Sequence, residues 1–318
     1  MRRRLASAVA VSAALLAGMA AAGPARAADW QLVWADEFNG TRLDPARWSR
    51  EIDCWGGGND ERQCYTGSGS NARVEGGLLV ITARRQRATG PALPQDQRRL
   101  ARDPRATVTR DITSARLTTR GKAAWRYGRI EVRARLPQGQ GIWPAIWMLP
   151  EANTYGPWAA SGEIDIMEAV NLGVPCRDCP QGREDRVLGT LHFGKAWPGN
   201  AFASTEVHRP AVLDGFHTFA VEWSAERVIW QVDGATYAER SAREWWSGGT
   251  SHPGAPFDQP FHLILNLAVG GRLPEGRGLG GVDPAGFPKR FEIDWVRVWQ
   301  KPQGAGNSAA GTTTEGVH

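Results

Sequence analysis

Gly128-Arg-Ile-Glu-Val-Arg-Ala-Arg-Leu-Pro137 places Ile130, Val132, Ala134 and Leu136 on one side of the chain and charged residues on the other. A period of two over that length marks a half-buried β-strand. Working outward, Phe219-Ala-Val-Glu-Trp223 and Val228-Ile-Trp-Gln-Val232 have strand character, and Asp233-Gly234 supplies a hairpin turn before Ala235-Thr-Tyr237 begins the return. Residues 78–83, 188–193, 261–268 and 291–299 add further strands. Helical periodicity is scarce, and residues 240–246 offer one candidate short helix. Residues 86–110, rich in Arg, Gln and Pro, and residues 171–186 lack periodicity and are expected to be surface loops. Many strands separated by Gly and Pro turns predict an all-β fold, a sandwich of two sheets.

The ends differ in composition from this block. Arg2, Arg3 and Arg4 precede an apolar, Ala-rich run, and Ala25-Arg26-Ala27 has small residues where a signal peptidase reads, so residues 1–27 are expected to be an export signal. Residues 301–318 carry almost no large apolar side chain and are expected to be a disordered tail. Residues 28–300 then form a single domain, a monomer that is secreted or periplasmic and has no membrane span after cleavage. The chain carries a formal charge of +5, and the leader alone holds four Arg and no acid, which leaves the mature chain near neutral. That balance gives no reason to expect a nucleic-acid partner. The 15 Trp point instead to a flat ligand such as a sugar, whose C–H faces stack on rings.

In an exported chain four cysteines favour disulfides, and proximity suggests Cys54 with Cys64 and Cys176 with Cys179. Cys176-x-x-Cys179 also has zinc-ligand spacing, but the other pair is too widely spaced to complete a four-thiolate site.

The chemistry concentrates in Gly162-Glu-Ile-Asp-Ile-Met-Glu168. On a regular strand Glu163 and Asp165 share a face while Glu168 points away. For all three to serve one site, the strand must hold an extra residue, a β-bulge near Ile166-Met167. Glycosidic hydrolysis is a reason to gather them, because it needs one carboxylate at the anomeric carbon and one protonated acid at the leaving oxygen. Neighbouring acids push each other's pKa apart and so supply both forms. A solvated strand edge bearing three surface acids is the plainer alternative.

The motif resembles the signature of glycoside hydrolase family 16 in its longer, bulged form. Trp34-Ala-Asp-Glu-Phe38, Gly128-Arg-Ile-Glu131, Gly141-Ile-Trp-Pro-Ala-Ile-Trp-Met-Leu-Pro150, Leu191-His192, Asn266-Leu-Ala-Val-Gly-Gly271 and Asp294-Trp-Val-Arg-Val298 resemble the family's landmarks in order. Within the family the pattern is most similar to the bacterial laminarinases, which cleave β-1,3-glucan. The resemblance implies a β-jelly-roll with a concave substrate cleft and a retaining endo-hydrolase needing no cofactor for catalysis. By position it implies Glu163 as nucleophile, Glu168 as general acid/base and Asp165 as the assisting acid. Trp143 and Trp147 are implied as sugar platforms, and His192, Asn71 and Arg116 as polar cleft groups. Glu37, the carbonyl of Gly77 and Asp294 match a structural calcium site of many relatives. The cysteine-bearing loops depart from the simplest family pattern, and the loop from Gly56 to Glu61, between Cys54 and Cys64, is expected to border the non-reducing end of the cleft. The alternatives are a same-fold hydrolase of agar, carrageenan or lichenan, a non-catalytic glucan-binding protein, and a structural wall protein. Retention of all three acids weighs against the last two.

Overall fold

The alternation at residues 128–135 becomes a strand whose even positions are buried and whose odd positions are half-buried or exposed. The computed structural model describes residues 30–302. In chain order its strands are β1 (Gln31–Asp36), β2 (Ser49–Arg50), β3 (Gln63–Tyr65), β4 (Ala72–Glu75), β5 (Leu78–Pro91), β6 (Thr107–Ser114), β7 (Arg116–Thr118), β8 (Gly128–Arg135), β9 (Ile142–Pro150), β10 (Glu163–Glu168), β11 (Arg186–Gly194), β12 (Asn200–His208), β13 (His217–Trp223), β14 (Arg227–Val232), β15 (Ala235–Ser241), β16 (Phe261–Val269) and β17 (Lys289–Gln300). One sheet runs β15-β14-β13-β8-β17-β5-β6-β3, with β1 on β17 and β4 on β5. The other has seven strands in the order β12-β11-β10-β9-β16-β7-β2. Neighbours pair antiparallel apart from β3 on β6. This is the all-β, two-sheet sandwich expected. The expected leader, and the expected tail beyond residue 302, lie outside the described residues.

The inner faces meet with β10 over β13 and β16 over β5. Ile130 and Val132 of β8 pair with Val221 and Phe219 on one side and with Val298 and Val296 on the other, all fully buried. Ile164, Met148, Leu263 and Leu265 of the second sheet join the same core. Burying each such side chain stabilises by about 1.5–3 kcal/mol, so a one-residue register slip, which would turn the row outward, is strongly disfavoured.

Two local expectations are corrected. Residues 86–110 are not an irregular loop, because β5 and β6 run as a hairpin with Ala88 opposite Arg110 and Thr89 opposite Thr109, closed by the short helix α1 (Gln95–Arg98). Beyond Arg84 the β5 arm is largely exposed, so no buried face imposes a hydrophobic period. Residues 240–246 finish β15 and then turn, and Glu244 accepts from the Ser241 amide at 2.8 Å instead of starting a helix. Residues 171–185 do lie outside the long strands, with Arg186 opening β11, and the cysteines pair as Cys54–Cys64 and Cys176–Cys179. With every thiol oxidised, no thiolate is available for zinc.

Candidate active site

The site is built by an irregularity in β10. Against β11, Glu163 faces His192, Asp165 faces Thr190 and Glu168 faces Leu188. Three steps along β10 therefore match two along β11. Against β9 the same slip puts Asp165 opposite Trp147 and Glu168 opposite Ala145. Thr190 and Leu188 share one face of β11, and Trp147 and Ala145 share one face of β9. Glu168 is thus returned to the face of Glu163 and Asp165 by one extra residue at Ile166-Met167, as the chemistry required. Ile164, Ile166 and Met167 all enter the core. The irregular backbone is held from the opposite sheet, where the buried Trp230 of β14 donates Nε1–H to the Asp165 carbonyl at 2.8 Å. An unpaired carbonyl at that place would cost about 1–3 kcal/mol.

Each carboxylate has its own partner. Trp158 Nε1 donates to Glu163 Oε2 at 2.8 Å, and Trp143 Nε1 donates to Glu168 Oε1 at 3.0 Å. His192 Nε2 lies 3.3 Å from Asp165 Oδ2 and 3.7 Å from Glu163 Oε1. Burial pushes Asp165 well above the usual carboxylate range, and the charges of Glu163 and Glu168 add to that rise. Burial also raises Glu168, against the lowering effect of the His192 charge. For His192, burial disfavours the charged ring, but Glu163, Asp165 and Glu168 outweigh it and push the imidazole up to about 9. Burial and like charge therefore hold protons on Asp165 and Glu168 to higher pH than on ordinary carboxyls, and the surrounding acids keep His192 charged to higher pH than an ordinary imidazole.

Trp143→Phe tests one of these links. The indole hydrogen bond lowers Glu168, so its loss should raise that carboxyl further and move the alkaline limb of kcat/KM to higher pH. Loss of positioning should also lower kcat by on the order of 10- to 100-fold. A pH–rate profile measures both, and a limb that moved to lower pH would contradict the link.

The remaining sequence-predicted residues separate into two groups. Trp147 is half-buried on the site face, donates Nε1–H to Asn266 Oδ1 at 2.6 Å, and lies under the Arg116 guanidinium at 4.7 Å. Arg116 is paired with Glu51 at 2.9 Å. Trp143, by contrast, is only 8% exposed and packs on Val170, Ala268 and Leu273. It has little surface left for a sugar and works on Glu168 instead. Asn71 is buried, with Nδ2 donating to the Thr82 carbonyl and to Thr113 Oγ1, and with Oδ1 accepting from Thr66. Its polar atoms join β4, β5 and β6 and do not face a ligand.

The expected calcium ligands are otherwise engaged. Arg297 Nε and Nη2 reach the two oxygens of Glu37 at 2.8 and 2.9 Å, and Arg133 donates to Asp294. The Arg297 guanidinium holds the Glu37 carboxyl below its ordinary value. Gly77 forms the tight turn with Gly76 between β4 and β5. Calcium needs oxygen lone pairs that cations have not already taken, so this donor set does not fit the ion.

Two groups escaped the sequence reading. Trp158 sits five residues before Glu163, but its contact needs the turn at residues 157–162. Glu61 is buried beneath the glycine-rich loop, where it accepts from Gln63 Nε2 at 2.6 Å and from the Tyr65 hydroxyl at 3.4 Å. Asn266 Nδ2 donates to that hydroxyl at 3.0 Å, so a polar chain runs from the loop to Trp147. Gly57, at φ +63°, lies so close that a Cβ would fall 2.0 Å from Glu61 Oε1. The loop is also tied to the wall by Arg272 N–H to the Asn59 carbonyl at 2.8 Å.

Paired acids held by tryptophans on one face of a β-sandwich, with an imidazole beside Glu163 and Asp165, define a glycoside hydrolase. Residues 59–297 match the profile of glycosyl hydrolases family 16, and the chain belongs to that family. It is 41% identical over 293 residues to a beta-glucanase of Rhodothermus marinus, covering 86% of this chain and 87% of that protein. It is 38% identical over 287 residues to glucan endo-1,3-beta-glucosidase A1 of Niallia circulans, covering 86% of this chain but only 38% of that longer protein. The laminarinase catalytic domain of Thermotoga maritima superposes with a TM-score of 0.68 at 37% identity, covering 86% of this chain and all of that domain.

Proposed function

We propose that this chain hydrolyses internal β-1,3 linkages of laminarin-type glucan with retention of anomeric configuration, and takes mixed β-1,3-1,4-glucan as a secondary substrate. The observation that carries the mechanism is the extra residue in β10, which aims Glu168 across the same face as Glu163 and Asp165. The substrate follows the names of the relatives. Glu163 attacks the anomeric carbon while Glu168 gives its proton to the departing glycosidic oxygen, leaving a covalent glycosyl–enzyme ester. Glu168, now a carboxylate, takes a proton from water, and the resulting hydroxide displaces Glu163 from the sugar. Two inversions give net retention. Burial and its neighbours' charge favour the protonated form of Asp165, and in that form it can donate toward Glu163 and hold its orientation. Export, on the reading of residues 1–27, suits a polymer too large to enter a cell.

Proton NMR of laminarin digestion tests this directly. The β-anomer should appear first and mutarotate afterwards. An α-anomer appearing first would exclude the double displacement. Inactivity on laminarin with activity on agar or lichenan would leave the chemistry in place and replace the substrate.

A further inference from the structure

Among the described residues four aromatic side chains are exposed: Trp158 at 38%, Trp197 at 73%, Phe202 at 66% and Trp246 at 46%. They are not scattered. Trp158 holds Glu163, and its ring lies 5.5 Å from His192. His192 lies 5.9 Å from Phe202, its cross-strand partner on β12. Trp197 N–H donates to the Trp158 carbonyl at 2.9 Å, and Gly194 N–H donates to the Trp246 carbonyl at 3.0 Å. The Trp246 ring rests against Gly194, where φ is +97° and a Cβ would meet Ala201 N at 3.2 Å and the ring at 3.3 Å. Three chain segments thus converge to bring these four residues together beside Glu163.

Large apolar rings left in water are disfavoured, and a contiguous set marks a binding surface. Phe202 is carried on β12, and the segments of Trp158, Trp197 and Trp246 are tied by backbone hydrogen bonds, so little ordering entropy is lost when a ligand lands on them. Continuity with Glu163 identifies the occupant as more of the chain being cut. We propose that Trp197, Phe202 and Trp246 form a glucan-holding wall that continues the cleft past Glu163 and binds sugar units removed from the scissile bond. This inference rests on the glycan-hydrolase reading of the site and extends it to chain length. The wall makes the enzyme prefer long chains over short ones, because only long chains reach it.

The test uses Trp197→Ala and Trp246→Ala in the full chain, assayed on laminarin and on an aryl laminaribioside that occupies only the sugar sites beside the cut. Each variant should lose about 3- to 10-fold in kcat/KM on laminarin, the effect of one stacking contact, and change less than about two-fold on the aryl disaccharide. The short substrate also reports that the variant is folded. An equal loss on both substrates, or no loss on the polymer, overturns the wall. Affinity electrophoresis in a Glu163→Gln background separates this failure from that of the function. Retardation by laminarin that weakens in the Trp197→Ala protein supports the wall. Retardation by another polysaccharide alone, weakened in the same way, keeps the wall and replaces the substrate. Wild-type laminarin hydrolysis with retardation unchanged by either substitution keeps the function and removes the wall.

Discussion

Glu163→Gln is expected to lower kcat on laminarin by at least about 10^4-fold while leaving the fold and polymer binding intact. The amide has nearly the shape of the carboxylate, and its oxygen can still accept from Trp158 Nε1, which donates to Oε2 at 2.8 Å. It cannot form the ester, so the first displacement is lost altogether. Its lost charge also acts on its neighbours. The negative charge of Glu163 helps to raise both Asp165 and His192, so both should fall in the variant. An NMR titration of His192 would show that fall from about 9 independently of turnover. Chemical rescue makes the assignment specific. In Glu163→Ala, azide should enter from the vacated side and give an α-glycosyl azide from an aryl substrate. Near-normal activity in either variant would remove Glu163 from the nucleophile role.

The second large effect concerns Glu168→Gln. General acid assistance contributes about 10²–10⁴-fold, and the loss on laminarin should fall in that range because a sugar alkoxide leaves poorly. An aryl glycoside with an acidic phenol leaves without help, so its first step should be nearly unaffected. Hydrolysis of the intermediate then becomes limiting, and azide should restore turnover and give a β-azide, opposite to the Glu163 variant. The pH profile provides a further check. Burial raises Glu168, so the proton it must donate is present at low pH and lost as pH rises through that raised value. The wild type should show an alkaline limb from this loss, shared among the coupled groups, and Glu168→Gln should lack it. Persistence of the limb would place it on another group, with His192 the first candidate.

Legibility of the fold depended on which faces are buried. β8, β13 and β14 have one face in the core and one outside it, so their alternation appears directly in the residue types. The outer arm of β5 has no such constraint, and it read as a loop although its backbone is paired. β16 is buried along its whole length, so it appears as an apolar run with His262 and Asn266 placed under covering segments. Position in the family pattern also misled at Asn71 and Trp143. The resemblance implied sugar contact for both, but accessibility belongs to whatever packs around them.

The all-β class, the three acids and the need for a bulge follow from residue order alone, because pleat parity forbids a regular strand from presenting Glu163 and Glu168 together. Residue order also carried the cysteine pairing that proximity favoured. How the bulge is held depends on the closed sheets, since its support is Trp230 from the opposite sheet, 65 residues along the chain. Only the fold could assign Trp158 to Glu163 and Trp143 to Glu168, set arginines on Glu37 and Asp294, and bring the segments of Trp158, Trp197 and Trp246 together. Local chemistry follows from a residue and its near neighbours along the chain. Protonation, access and partner choice depend on groups distant in sequence that reach the site only when the sheets close.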